Sequence, residues 1–356
     1  MTTVMAADAD VIHDRRSRAR RLGLLLAMLL ICMATASLAM GAAGTSLWYA
    51  LIDLAQGRTL VPVDHAVLWQ IRLPRTVMAI FVGAALAVSG AVLQGLFRNP
   101  LADPGLVGVS SGAGLGAIVA IVLGAALPAG LTGLAGPHLV PLAAFSGSWI
   151  TIIVLYRIST RGGQTSVATM LLGGIAIGAI TAAGSGLMIY LADDQQLRDL
   201  NFWQLGSLSG STWQRVMVAA PIILVALMAS PFLARGLNAL ALGEAPAAHL
   251  GIPVQRLKTM AVLVVAAATG AAVAVSGGIG FVGIVVPHLL RLASGPDHNT
   301  LLPNAALLGA SLLLAADILA RIVIAPAELP IGIVTAILGA PVFLWILLQR
   351  RKDLML

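Results

Sequence analysis

The chain has 356 residues, of which 59% are hydrophobic and 10% are charged, and its mean hydropathy is +0.98. These values exclude an ordinary soluble domain, in which charged residues make up about 25% of the sequence. The formal charge of +7 does not indicate nucleic-acid binding, because the basic residues stand singly at the ends of apolar stretches and form no continuous basic face.

Ten apolar stretches follow one another along the chain, and a helix of about 20 such residues crosses a bilayer. The first follows a basic segment and resembles a secretory signal, but its length exceeds the roughly 7 to 15 residues of a signal core. We therefore interpret it as a spanning helix, while cleavage would leave nine spans. The predicted spans are 22–40, 76–97, 105–127, 138–156, 166–191, 213–233, 257–276, 278–292, 301–325 and 331–348.

The short connections between these stretches divide the basic residues unevenly. With the N-terminus placed inside, the inner connections and tails hold 15 of the 21 basic residues. Such an excess in short inner loops is what the positive-inside rule predicts, so we expect both termini to be cytoplasmic. The six basic residues on the outer side are Arg58, Arg72, Arg75, Arg198, Arg215 and Arg321.

Small residues recur within two of the predicted spans. Gly108, Gly112 and Gly116 repeat every four residues in the third span, and Gly174 and Gly178 do so in the fifth. This spacing lets another helix approach closely, which is ordinary membrane packing and also suits rigid bodies that rock against each other. The pattern supports a transporter without proving one.

One connection carries its own helical signal. Residues 238–253, between the sixth and seventh spans, form a short amphipathic pattern that is closed by Gly251 and Pro253. No connection is long enough for an independent soluble domain. We therefore expect this segment to be a docking element for a separate partner.

The two lysines limit how the chain can be powered. A nucleotide-binding P-loop requires a Gly-Lys pair, but Lys258 follows Leu257 and Lys352 follows Arg351. The energy must then come from another subunit or from an ion gradient. A gradient-driven carrier needs ionisable groups inside the membrane, and the clear candidate is the pair of Asp317 and Arg321. The two residues are spaced i and i+4 on one helix, so they can form either a structural salt bridge or a proton relay.

Five motifs together make the chain resemble the permease family of bacterial ATP-binding-cassette importers for cobalamin, ferric siderophores and haem. The resemblance runs from the first span to the C-terminus and implies an all-α fold with about ten transmembrane helices, the type II importer architecture. It implies cytoplasmic tails at 1–21 and 350–356, a single permease domain at 22–349 and a coupling helix at 238–251. The motifs lie at 72–75, 95–105, 242–244, 278–288 and 328–332.

The resemblance also assigns roles to individual residues. The ATPase-coupling residues are Leu242, Gly243, Glu244, His249, Leu250 and Gly251. The arginines that dock the binding protein are Arg72, Arg198 and Arg321, for which membrane-interface anchoring is the alternative. The cytoplasmic gate residues are Asn99, Leu101, Thr165, Ser166 and Val167, and the pathway residues are Met170, Gly174, Gly178 and Met188.

The implied partners are a second copy of the chain, two cytoplasmic ATP-binding subunits, a periplasmic substrate-binding protein and the lipid bilayer of the bacterial inner membrane. We expect no cofactor on this chain, with ATP and Mg on the partner ATPase, no catalysis by the chain itself and no nucleic acid. We also expect no metal site, since the six histidines are far apart and the chain has one cysteine. Residues 194–210 resemble haem-uptake members most, so haem is preferred, while cobalamin, a ferric siderophore and a gradient-driven carrier remain alternatives.

Overall fold

We describe the fold from a computed structural model, which describes residues 2–41, 56, 62–124 and 136–353. The described chain is almost entirely α-helical, which confirms the all-α prediction. The only strands in these residues are the two-residue strands β1 (Thr160–Arg161) and β2 (Gln164–Thr165), which pair as an antiparallel hairpin.

The helices are numbered along the described chain, with short 3-10 and π segments named separately. They are α1 (Thr2–Ala39), α2 (Pro62–Ala66), α3 (Leu73–Leu96), α4 (Val109–Leu123), α5 (Leu139–Ser159), α6 (Val167–Leu191), α7 (Asp194–Gln204), α8 (Trp213–Ala229), α9 (Ala234–Leu240), α10 (Glu244–His249), α11 (Val254–Ser276), α12 (Val282–Ser294), α13 (His298–Ile322) and α14 (Ile331–Asp353). A π-helix at Val67–Arg72 joins α2 to α3.

The apolar helices correspond one to one to the predicted spans. Within the described ranges, seven are long and apolar enough to cross a membrane, and three shorter apolar helices lie at Val109–Leu123, Val282–Ser294 and Ile331–Ile346. Together they account for all ten predicted stretches. The polytopic membrane architecture is therefore confirmed.

Several boundaries differ from the prediction. Helix α1 begins at Thr2, so the described part of the predicted 1–21 tail is helical, and the helical path into α3 begins at Pro62. The third span begins at Val109, after a 3-10 turn at Pro104–Val107, and the eighth begins at Val282. The predicted end of the third span at 125–127, most of the predicted connection at 41–75 and tail residues 354–356 lie outside the described residues.

Helix α3 forms the centre of the bundle and is buried along nearly its whole length. It packs against α8, α11, α12 and α13, while α4 and α5 pack against each other and against α11. Glycines make these approaches close. A Cβ on Gly83 would lie 2.3 Å from the Gly309 carbonyl oxygen, and one on Gly116 would lie 2.1 Å from the Ala143 carbonyl oxygen. The predicted glycine stripe of the third span thus faces α5.

Candidate translocation and coupling site

The segment predicted as one helix at 238–251 is instead two short helices. Helix α9 ends at Leu240, and α10 begins at Glu244 after a turn. Gly243 in this turn has φ +117°, a backbone conformation that L side chains rarely adopt, so glycine is required where the chain changes direction. Gly251 has φ +80° and ends the segment, as its sequence predicted. We call the end of the bundle that carries α10 the inner end.

Helix α10 presents most of its surface to solvent. Leu242 and Leu250, which flank it, are 68% and 63% exposed, and His249 is also exposed. Ala247 is fully buried and packs α10 against the bundle. One large apolar side chain is thus exposed on each flank of this short helix.

Glu244 points back to the bundle, where it meets a buried lysine. Its Oε1 lies 2.8 Å from Lys258 Nζ, and the Lys258 side chain is 2% exposed. Lys258 Nζ also donates a hydrogen bond of 2.6 Å to the Thr165 carbonyl oxygen, and the Thr165 N–H donates to Gln255 Oε1 at 2.9 Å. The predicted coupling residue and the predicted gate are therefore joined through two residues of α11.

The other predicted gate residues lie in two separate loops. Ser166 caps α6, where its hydroxyl accepts a hydrogen bond from the Thr169 N–H, and Val167 begins that helix. Asn99 accepts a hydrogen bond from the Leu101 N–H and so closes the turn that follows α3. Both loops are ordered by local hydrogen bonds, which suits segments that move as units.

Asp103 follows the Asn99 turn and accepts a hydrogen bond of 2.8 Å from the Gly105 N–H. Burial raises the pKa of the Asp103 carboxyl above its usual value, and the Gly105 hydrogen bond opposes that rise. The carboxylate packs against Gly283, where a Cβ would lie 3.1 Å from Asp103 Oδ2. Asp103 thus helps to hold the α3–α4 connection against α12.

A cavity of about 490 Å³ lies along α6 and is lined mainly by small and hydroxyl-bearing residues. Gly178 lines it, whereas Met170 is 1% exposed and lies in the hydrophobic core. Met188 packs beside Ile118, Val122 and Leu200. The cavity lining is Ser110, Ser111, Gly114, Gly178, Thr181, Ala182, Ser185, Gly186, Ile189, Trp203, Gln204 and Gly278.

The structure places Met170 and Gly174 on the face of α6 that packs inward, so their assignment to a pathway stays a prediction. The buried residues of α6 are Met170, Gly174, Ile177 and Thr181, which recur at helical spacing on one side. The other side carries exposed apolar side chains. They are Leu172, Ile175, Ile180, Leu187 and Tyr190.

Of the three arginines predicted to dock a binding protein, the structure leaves only Arg198 exposed. Arg72 is buried and donates to the Leu38 carbonyl oxygen at 2.7 Å. Arg321 is buried as well and donates to the Ser37 and Met40 carbonyl oxygens. The end of α1 covers both side chains, so the assignment of Arg72 and Arg321 to binding-protein docking stays a prediction.

The predicted pair of Asp317 and Arg321 belongs to a larger charged cluster. Arg321 Nε lies 3.2 Å from Asp317 Oδ2, and Arg75 Nε donates to Asp317 Oδ1 at 2.9 Å. Arg75 also donates to both oxygens of Glu328 at 2.9 Å. Two guanidinium groups thus face two carboxylates, and the Asp317 side chain is fully buried. This mutual pairing favours the salt-bridge interpretation over a proton relay.

Sequence reasoning missed Lys258, Gln255, Arg75 and Glu328 as functional or structural partners. The sequence did single out Lys258, since it is one of two lysines and lies near the start of a long apolar helix. It also singled out Arg75 and Glu328, since both lie in the quoted motifs. The contact of Arg75 with Asp317 joins two residues that are 242 positions apart in the sequence, and its contact with Glu328 joins two that are 253 positions apart. No local sequence pattern reveals such contacts.

Comparisons with known proteins cover almost the whole chain. The family model described as the FecCD transport family matches residues 26–349. The chain is 46% identical over 336 residues to the hemin transport system permease protein HmuU of Yersinia pestis, an alignment that covers 93% of this chain and 96% of that protein. It is 44% identical over 303 residues to the vitamin B12 import system permease protein BtuC of Escherichia coli O9:H4 (strain HS), covering 84% and 89%.

A solved structure is similar as well. It is described as an inward-facing conformation of a metal-chelate type ABC transporter, and it matches with a TM-score of 0.79 and 33% identity. The match covers 91% of this chain and 97% of that chain. The family model, the sequence relatives and the solved structure thus agree over most of the chain.

Proposed function

Because the chain belongs to the FecCD transport family, we propose that this permease carries haem from the periplasm to the cytoplasm by alternating access. The observation that carries the choice of haem is the 46% identity to a hemin permease over 93% of the chain. A vitamin B12 permease is 44% identical, so cobalamin is the nearest competitor, followed by a ferric siderophore. The test must therefore compare these cargoes directly.

The proposal places ATP hydrolysis on a separate chain. Neither lysine of this chain stands in a P-loop, and no group of three or more metal-ligating side chains occurs among the described residues. We propose a non-catalytic transport subunit without a cofactor, which works with two ATP-binding subunits that hold ATP and Mg. The two exposed leucines that flank α10, Leu242 and Leu250, support this arrangement.

A second copy of the chain and a periplasmic binding protein complete the proposed assembly. The exposed apolar face of α6 supports a dimer in which two cavities meet along the two-fold axis. On the outer side, exposed Arg198 supports contact with a carboxylate of the binding protein, a kind of pair that mainly steers and orients docking. The excess of basic residues in the inner connections supports an inner-membrane protein with both termini in the cytoplasm.

The cargo prediction is tested with the full complex. We expect liposomes that contain the chain, its ATPase and its binding protein to accumulate hemin when ATP and Mg are supplied. Cyanocobalamin and a ferric hydroxamate siderophore, each measured at the same concentration, should accumulate at least about tenfold more slowly, since a tenfold preference needs only about 1.4 kcal/mol. Faster uptake of cobalamin than of hemin would indicate that vitamin B12 is the cargo. Uptake without the ATPase would refute the proposal of an ATP-driven importer.

The coupling surface is tested by placing a charge at one of the two exposed leucines that flank α10. We expect Leu250→Glu to reduce the amount of ATPase that co-purifies with the chain by about tenfold or more, because truncating or charging a central interface residue costs about 2 kcal/mol. Membrane insertion should be unchanged, since Leu250 is exposed. The control is Arg157→Gln, which lowers the net charge by the same amount at an exposed position on the inner end of α5. Equal ATPase binding in both variants would contradict the assignment.

A further inference from the structure

The buried lysine at the inner end joins three parts of the molecule that are separate in sequence. Lys258 lies in the second turn of α11 and is among the largest fully buried side chains of the described protein. Its Nζ contacts Glu244 of α10 on one side and the Thr165 carbonyl oxygen of β2 on the other. A buried ammonium needs such partners, because an unpaired charge in this environment is very costly.

The hairpin is held to α11 by more than this one bond. Gln255 and Lys258 are three residues apart and therefore lie on the same face of α11. Gln255 accepts a hydrogen bond from the Thr165 N–H, and Lys258 donates one to the Thr165 carbonyl, so α11 binds both backbone groups of that residue. Thr165 directly precedes Ser166, the cap of α6. Any movement of this contact is therefore transmitted to the N-terminus of α6, the helix that lines the cavity.

The other partner of Lys258 lies in a segment that cannot hold its position alone. Helix α10 has six residues, far fewer than the roughly 12 to 15 at which an isolated helix becomes even marginally stable. Its position depends on buried Ala247, on the hydrogen bond from the Ile252 N–H to the Ala247 carbonyl oxygen and on the ion pair of Glu244. A partner that moves α10 therefore acts directly on Lys258.

We propose that Lys258 is the positioning residue that transmits the movement of α10 to the β1–β2 hairpin and to the start of α6. This inference rests on the proposed function, in which an ATPase grips α10. Lys258 touches neither cargo nor nucleotide and acts through Glu244 and Thr165. The same ammonium holds both contacts, so the two segments shift together and do not move independently.

The test is Lys258→Met in the full complex with its ATPase and binding protein, with hemin as the probe. Methionine is close to the lysine stem in volume, and the Glu244 carboxylate that is left without its partner is 45% exposed and can be solvated, so the variant should assemble. We expect ATP hydrolysis to continue while hemin taken up per ATP falls about tenfold, which corresponds to about 1.4 kcal/mol of coupling free energy. Lys258→Arg, which keeps the charge and the donors, should restore most of the ratio.

The matched control is Arg157→Met, which removes the same charge from an exposed position at the inner end and should leave the ratio unchanged. If Lys258→Met does not fold, Glu244→Gln decides, because Glu244 is exposed enough to tolerate the change and should lower the ratio in the same direction. An unchanged ratio of hemin taken up to ATP hydrolysed, in either Lys258→Met or Glu244→Gln, overturns the proposed role of Lys258. A Lys258→Met chain that folds but loses its ATPase overturns it as well. If the unaltered complex takes up no hemin with ATP, the proposed function fails first.

Discussion

Replacing Asp317 by asparagine should destabilise the folded protein by about 3 to 5 kcal/mol, the range for removing one partner of a buried ion pair. The carboxylate is fully buried and stands between Arg75 and Arg321. Asparagine has nearly the same shape but no charge, so both guanidinium groups would face a neutral acceptor. The measurement is the midpoint of thermal unfolding in detergent, with the yield of folded chain after membrane extraction as a second readout.

The control for this variant is Glu328→Gln, which removes a carboxylate from the same cluster. The Glu328 side chain is 37% exposed, so solvent screens its pair with Arg75 and the expected loss is about 1 kcal/mol or less. If both variants lost the same free energy of unfolding, the burial of Asp317 would not explain how much its ion pairs contribute to stability. High salt should also leave the stabilising effect of Asp317 nearly unchanged, because buried pairs are weakly screened.

A double-mutant cycle separates the ion pair from the other contacts of Arg321. That side chain also donates to the Ser37 and Met40 carbonyl oxygens, so Arg321→Gln alone should be destabilising. If the charges interact, the double variant Asp317→Asn with Arg321→Gln should lose less stability than the two single losses combined. Simple additivity would show that the two side chains act independently.

The order and number of the apolar helices could be predicted because the signal is local. A run of about 20 apolar residues is sufficient to indicate a span, whatever the rest of the chain does. The predicted start at 278 was four residues too early because Gly277 and Gly278 make contacts with distant backbone. The Gly278 N–H is directed to the Trp203 carbonyl oxygen, and a Cβ on Gly278 would lie 2.7 Å from the Gln204 carbonyl oxygen.

The faces of helices were harder to predict than their positions. Helix α6 is apolar all round, so its sequence does not show that Met170 and Gly174 point inward while Gly178 lines the cavity. For the same reason local motifs placed Arg72 and Arg321 on a rim, although α1 covers them. Burial of a polar side chain depends on which helix lies against it, and that information is not local.

The candidate coupling element shows both the reach of sequence reasoning and its limit. Its position between two spans, its closure by Gly251 and its exposed leucines agree with the prediction from residues 238–253. The break at Gly243 and the ion pair to Lys258 were not predicted. The pair joins positions 244 and 258, which are close in sequence, but its burial depends on the hairpin at Thr165.

Glycine-mediated contacts at the centre of the bundle should be the most sensitive to a small increase in side-chain volume. Gly90 of α3 lies against Gly283 of α12, where an added Cβ would be 2.0 Å from the Gly283 carbonyl oxygen and 2.5 Å from its Cα. Both neighbours are backbone atoms, so a side-chain rotation cannot relieve the overlap. The same carbonyl accepts a hydrogen bond of 3.0 Å from Gln94 Nε2.

We therefore expect Gly90→Ala to destabilise the chain by about 3 kcal/mol, at the upper end of the usual cost of overpacking, because two helices must separate and the Gln94 bond is strained. Gly186→Ala is the matched control, since Gly186 lies in α6 and nothing stands within 4 Å of an added Cβ. Alanine there should be neutral or stabilising by up to about 1 kcal/mol, the helix-propensity difference. The measurement is the midpoint of thermal unfolding of both variants. If Gly90→Ala unfolds at no lower temperature than Gly186→Ala, the close contact of α3 with α12 does not limit stability. The central packing described by these glycines would then be wrong.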